Sequence, residues 1–383
     1  MDRIEVIAGE DDLEALAREL VGTPVIAVDT EFIRERTYYP RGCLLQLAWG
    51  DHIACVDLLA IGGIGALSGL FFDSRSLKVF HAARQDLELF YAMNGRVPSP
   101  VADTQIAGAL LGYPDQSGYA TLVEATLGVQ LDKQHARTDW SRRPLSDAQL
   151  KYAVDDVRYL LRMHGLLEER LLSKGRSAWA TDLYEALCRP ELYAPNPGSA
   201  WRRVKNWSQL DGPQLARLQA LAAWRENLAV KQDRPRRWIL ADDALIHLAR
   251  RNPTTTDGVR NSDLPPRVAR RHDKTIVDLL ASVAEDGTPR DVPDTSRLTR
   301  AQTGLTRRLA KRLDEIADRE TIAAALLATR SDLRDLVRGR RDLPVLSGWR
   351  LQVVGRQLLE ILEADESDQL AGNSDSSADN SRA

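Results

Sequence analysis

The run Val25-Ile26-Ala27-Val28, followed at once by Asp29-Thr30-Glu31, constrains the fold of this chain more than any other segment. Four consecutive apolar residues rich in β-branching predict a strand buried on both faces. Side chains alternate along a strand, so Asp29 and Glu31 must project together from its end. Two adjacent carboxylates repel each other. A hard divalent cation, which takes oxygen ligands, is the natural group to sit between them.

The flanking sequence tells what kind of domain carries that strand. Cys43–Ala48 and His52–Val56 are short apolar runs separated by Gly50-Asp51, which predicts a hairpin. Leu77–Phe80 reads as another short buried strand. Helical periodicity covers Ala83–Met93, Thr104–Leu111, Thr121–Leu127 and Ser146–Leu171, the last with Ser146 placed as an N-cap. Strands and helices mixed in this order predict an α/β domain over residues 1–175, with a mixed central sheet flanked by helices. A connecting helix and linker fill residues 176–200, where Tyr193–Ser199 is rich in Pro and Gly. Residues 201–282 and 296–365 carry no strand signal and each predict a helical bundle, joined by the polar stretch Glu285–Asp294. Two such modules invite a repeat reading although their residue-level similarity is slight. Residues 366–383 are acidic, Ser-rich and poor in large apolar side chains, the composition of a disordered tail.

Charge divides along the same boundaries. Residues 1–200 hold 20 Lys and Arg against 28 Asp and Glu, a net −8; residues 201–360 hold 31 against 21, a net +10; residues 361–383 hold 1 against 6, a net −5. An acidic domain followed by a basic one suggests carboxylate chemistry first and a polyanion-facing surface second. No stretch approaches the roughly 20 apolar residues that span a bilayer, and the N-terminus lacks the basic-then-apolar pattern of a secretory signal. Cys43, Cys55 and Cys188 are scattered, and the first two sit in apolar runs as small core residues. These features predict a cytoplasmic protein with no membrane attachment, and no obligate protein partner is evident.

Two further acidic segments lie in the first domain. His81-Ala82-Ala83-Arg84-Gln85-Asp86 joins a buried strand to a helix, where Asp86 either favours the helix start or reaches into a cleft. Tyr152 and Asp156 are four apart on the late helix and share a face, which Asp155 cannot. Taken singly, Asp86 reads as a helix-start residue and Tyr152 as packing. Asp103 reads as a helix cap and Gln46 as a residue satisfied by a core or cleft hydrogen bond. His81 fits either a nucleotide contact or a structural bond.

Taken in order, Asp-x-Glu on a first strand, Asp at a strand-to-helix junction and Tyr-x-x-x-Asp on a late helix resemble the DEDDy 3′→5′ exonucleases, which have an RNase H-like fold. That resemblance implies that Asp29, Glu31, Asp86 and Asp156 are metal-binding carboxylates and that Tyr152 positions the attacking water. Two divalent ions about 3.5–4 Å apart would flank the scissile phosphate; Mg²⁺, with Mn²⁺ as an alternative, suits such a ligand set. In the basic half, Trp201-Arg202-Arg203-Val204, Leu215–Leu221, Trp224–Ala229, Arg234-Pro235, Ile239–Asp242 and Leu245–Arg250 resemble an HRDC domain. Residues 296–365, with Gly348-Trp349-Arg350-Leu351, look like a divergent second copy. One exonuclease domain followed by two such modules is similar to the ribonuclease D family. The likeness implies an exoribonuclease that releases nucleoside 5′-monophosphates and trims tRNA precursors with 3′ extensions. Lys231, Arg234, Arg236 and Arg237 form a candidate phosphate-contacting patch. The rival readings are a 3′→5′ DNA exonuclease and a non-catalytic RNA-binding protein, although no GxxxxGK[ST] loop of a helicase motor is present.

Overall fold

The computed structural model describes residues 6–131, 138–262, 264–283, 289, 291–294 and 296–379, with side chains through residue 367. Six strands form one mixed sheet: β1 (Val6–Ile7), β2 (Val25–Ile33), β3 (Arg41–Trp49), β4 (His52–Asp57), β5 (Leu77–Phe80) and β6 (Val101–Asp103), in the order β1-β4-β3-β2-β5-β6. β2 is central, as its apolar run demands, with Ile26, Ala27 and Val28 fully buried. It pairs antiparallel with β3 and parallel with β5, and β3 and β4 form the expected hairpin with Trp49 opposite His52. Parallel strands end on the same edge of a sheet. The carboxyl ends of β2, β5 and β6 therefore open together, and the segments leaving these three strands can meet there.

Helices cover both faces. Leu13 and Leu16 of helix Glu10–Glu19 and Leu87 and Phe90 of helix Arg84–Asn94 belong to the larger core. Helix Asp147–Arg158 lays Ala153 and Val154 over Leu44 and Cys55 in a smaller layer with Trp140. Ser146 caps that helix in a reciprocal capping box with Gln149, as its sequence predicts. The single helix expected over Ser146–Leu171 is instead two, Asp147–Arg158 and Leu160–Ser173. The cause is tertiary: the backbone N–H of Tyr159 donates to the Tyr119 hydroxyl at 3.2 Å, in a conformation that turns the chain.

The helical half divides unevenly. Residues 197–281 build their own core around Trp201, Leu218, Leu221, Leu245 and Ile276. The C-terminal helices do not: Leu309, Ile316, Leu333 and Leu358 merge with the core of the first domain. Arg176, buried, donates to the carbonyls of Leu110, Glu320 and Thr321, and Trp179 stacks on Trp349 with centroids 4.7 Å apart. Gly112 (φ +90°) lies against Thr321, where a Cβ would meet Cγ2 at 2.5 Å. The closing helix, Arg356–Asp379, runs on through much of the segment expected to be a disordered tail. A helix already nucleated extends with one hydrogen bond per residue. The remainder of that expectation, residues 380–383, lies outside the described residues.

Candidate active site

Asp29 and Glu31 project from the carboxyl end of β2, where a bulge between Glu31 and Phe32 shifts the register against β3. Bulges re-aim side chains, and here Phe32 joins Glu31 along one cleft. Asp156 arrives from helix Asp147–Arg158, and one oxygen from each of Asp29, Glu31 and Asp156 lies within 4.8 Å of the others. Asp86, in the first turn of helix Arg84–Asn94, reaches the same cleft because β5 ends beside β2. It is held by the Thr30 hydroxyl, which donates to Oδ1 at 2.5 Å. Tyr152 lines the cleft one turn before Asp156 and donates to its carboxylate. Asp155 faces outward to Lys151 and Arg158, as the i, i+4 argument requires.

The electrostatics follow from this crowding. Burial, reinforced by Asp156, raises the Asp29 carboxyl well above its ordinary range, and burial with Asp29 does the same to Asp86. Glu31 is pushed up to about 10 by burial and then by Asp29, Asp156 and Asp86. Asp156 rises to about 7, mainly through burial. Burial and the neighbouring carboxylates also raise Tyr152, so its phenol stays protonated. Among the described residues lining this cleft there is no lysine or arginine. Four carboxylates without a protein countercharge are a donor set whose chemistry suits a hard divalent cation, and the spacing of Asp29, Glu31 and Asp156 fits one.

The walls are built by fixed hydrogen bonds. Asp103 caps helix Thr104–Leu110 as expected, and also accepts from the backbone N–H groups of Ala82 (3.1 Å) and Ala83 (2.9 Å). That grip holds Ala82 at φ +59°, a conformation that costs a non-glycine residue about 1–2 kcal/mol. His81 is structural: its ring nitrogens bond Thr104 Oγ1 at 3.0 Å and the Ser117 carbonyl at 2.9 Å. Arg143 clasps Asp57 and the carbonyls of Cys43 and Trp140, which seats the loop that brings Thr138 and Trp140 to the cleft. Sequence reasoning missed Thr30, the unassigned middle residue of the Asp-x-Glu motif, and Tyr119, Thr138 and Trp140, which stand in no recognisable motif. Gln46 departs from expectation: fully buried in β3, it has no partner for either amide atom.

The candidate phosphate patch is altered too. Arg236 is already engaged: it bonds both oxygens of buried Glu226 and lies 4.6 Å from the ring of Tyr38. Tyr38 also donates to Glu226, and Asp233 accepts from the backbone N–H groups of Tyr38 and Tyr39. This joint ties the loop after the Asp29–Glu31 strand to the first helical module. Lys231, Arg234 and Arg237 remain exposed, and beside them Trp238 keeps half its surface in solvent.

Comparison with known proteins agrees with this layout. Residues 4–172 match the family described as 3′-5′ exonuclease, and residues 214–280 match the HRDC domain. Ribonuclease D of Jannaschia sp. is 39% identical over 94% of this chain and 95% of its own. Ribonuclease D of Shewanella sp. is 33% identical over 93% and 94%. The crystal structure of Escherichia coli RNase D, described as an exoribonuclease involved in structured RNA processing, is similar with a TM-score of 0.83 and 32% identity, covering 94% of this chain and 99% of that one.

Proposed function

This chain belongs to the ribonuclease D family of 3′→5′ exoribonucleases, and from that premise we propose that it trims the 3′ extensions of tRNA precursors in the cytoplasm, using divalent cations held by Asp29, Glu31, Asp86 and Asp156. The observation that carries the site assignment is the convergence of Asp29, Glu31 and Asp156 within 4.8 Å in a cleft whose described lining has no basic side chain. Two Mg²⁺ ions, or Mn²⁺ in their place, would supply acidified water and stabilise charge on the departing oxygen.

The chain's own residues do the rest. Tyr152 keeps its proton and shares a hydrogen bond with Asp156, so it suits orienting the attacking water rather than deprotonating it. Thr30 fixes the rotamer of Asp86. Water attacks phosphorus, the bond to the 3′ oxygen of the preceding nucleotide breaks, and that oxygen takes up a proton. The terminal nucleotide leaves as a 5′-monophosphate. Phe32, Tyr119 and Trp140 offer apolar and aromatic walls for the last base and sugar. Lys231, Arg234 and Arg237, with Trp238 as a stacking surface, support contact with the RNA strand outside the cleft.

The test is incubation of the purified full chain with a tRNA bearing a 3′ extension, with Mg²⁺ or with chelator, and with matched RNA and DNA oligonucleotides. Stepwise shortening from the 3′ end that needs Mg²⁺ and favours RNA is expected. Preference for DNA, or RNA binding with no nucleotide release, would overturn the reading.

A further inference from the structure

Gln46 is an anomaly for packing alone. It is fully buried, and neither its amide nitrogen nor its amide oxygen has a partner. A buried polar group left without a hydrogen bond is destabilising, whereas an apolar side chain of similar size carries no such penalty. Its neighbours in the layer, Leu44, Cys55, Ala153 and Val154, are what such a layer ordinarily contains.

Its place in the sheet gives the reason for an amide. Gln46 stands directly opposite Asp29 in the β2–β3 ladder and opposite Cys55 in the β3–β4 ladder. Directly opposed residues share a face, with Cβ atoms about 4.5–5.5 Å apart. Burial pushes the Cys55 thiol up to about 12, which leaves it neutral and a weak partner. Asp29 is the opposed side chain with oxygen lone pairs to fill, and the N–H of Thr30 is the hydrogen bond it already accepts.

We propose that Gln46 is a positioning residue for the cation site: with a cation held there, its amide nitrogen would donate to the Asp29 carboxylate opposite it, fixing the rotamer and charge of that ligand. This rests on Asp29 being a cation ligand. Outer hydrogen bonds of this kind change metal affinity about 10–100-fold.

Replacing Gln46 by Leu separates the two accounts of the residue. In the full chain without RNA, Mn²⁺ binding read by electron paramagnetic resonance should weaken about 10–100-fold. The melting temperature in chelator should equal or exceed that of the wild type, because an orphaned amide has been removed. Unchanged Mn²⁺ affinity would overturn the proposal, and so would a lower melting temperature with unchanged affinity, the mark of a purely structural or water-bridged amide. Gln46→Met repeats the test with a flexible side chain should Leu fail to fold. A third arm needs no variant: in protein labelled with ¹⁵N-glutamine, one exchange-protected side-chain amide should shift downfield in step with Mg²⁺ occupancy, and absence of that shift counts against the bond. Asp29→Ala supplies the control for the premise. If that variant binds Mn²⁺ like the wild type, the site assignment fails; if it loses Mn²⁺ while Gln46→Leu keeps it, only the role of Gln46 fails.

Discussion

At the scale of residues, Tyr152 is the most informative side chain after the carboxylates, because its surroundings forbid it the role of a base. Burial, Asp156 and Glu31 all hold its proton on. Tyr152→Phe should therefore lower kcat about 100-fold, the low end of what a positioned proton-handling group supplies, while Mn²⁺ affinity and KM stay near wild type. Single-turnover kinetics at saturating metal check this, and a loss of metal affinity instead would make Tyr152 part of the cation site. The shared faces of Asp29 with Glu31 and of Tyr152 with Asp156 were legible in sequence because strand alternation and the i, i+4 helical step are local rules, while their roles came from the family resemblance. Thr30 and Tyr119 were not, since their partners are 56 and 40 residues away. The engagement of Arg236 was hidden too: a run of basic residues does not tell that its guanidinium pairs with buried Glu226 and the Tyr38 hydroxyl.

Elements were legible where their ends carry local chemistry. Ser146 announced its capping box, and Gly50-Asp51 announced the β3–β4 turn. The break at Tyr159 was hidden because a side chain from another helix makes it. Helix spacing holds a quieter signal of repetition. Helices starting at Arg236 and Asp242 follow Gly212 by 24 and 30 residues, and those starting at Ala324 and Arg330 follow Arg300 by the same 24 and 30. That spacing supports reading the C-terminal helices as a divergent second copy. The joint between β2–β3 and the first helical module yields a pH prediction. Arg236 and the Tyr38 hydroxyl, against the opposing effect of burial, hold Glu226 below its ordinary carboxylate range. A carboxylate with a lowered folded pKa contributes stability that is present above its unfolded value, near 4.5, and is lost as pH falls through the folded value. Glu226→Gln should thus be clearly less stable than wild type at pH 7, with the gap closing on acidification below about 4.5. Denaturant unfolding at pH 7 and pH 3.5 reads the difference; a gap that widens in acid would contradict it.

For the whole molecule, the distribution of cores matters more than the order of modules along the chain. Residues 197–281 have a core of their own, whereas the C-terminal helices share one with the nuclease domain. Sequence periodicity marks which faces are apolar but not which distant faces meet, so this sharing could not be foreseen. It predicts two calorimetric transitions in the full chain. Trp349→Ala, removing a nearly buried ring stacked on Trp179, should lower the transition of the shared core by about 3–5 kcal/mol. The transition of the module around Trp201 should hardly move. A single transition that shifts as a unit would show the modules to be energetically one. Among the described residues no helix is long and apolar enough to cross a membrane.

The central claim is that Asp29, Glu31, Asp86 and Asp156 form one cation site that hydrolyses RNA from its 3′ end. Its most direct test is release of nucleoside 5′-monophosphate from a 3′-extended tRNA by the wild type and by Asp29→Ala, at saturating Mg²⁺ and equal RNA occupancy. Expected are steady release by the wild type, none above the chelator background by the variant, and RNA affinity and melting behaviour close to each other. Robust Mg²⁺-dependent release by Asp29→Ala would contradict it.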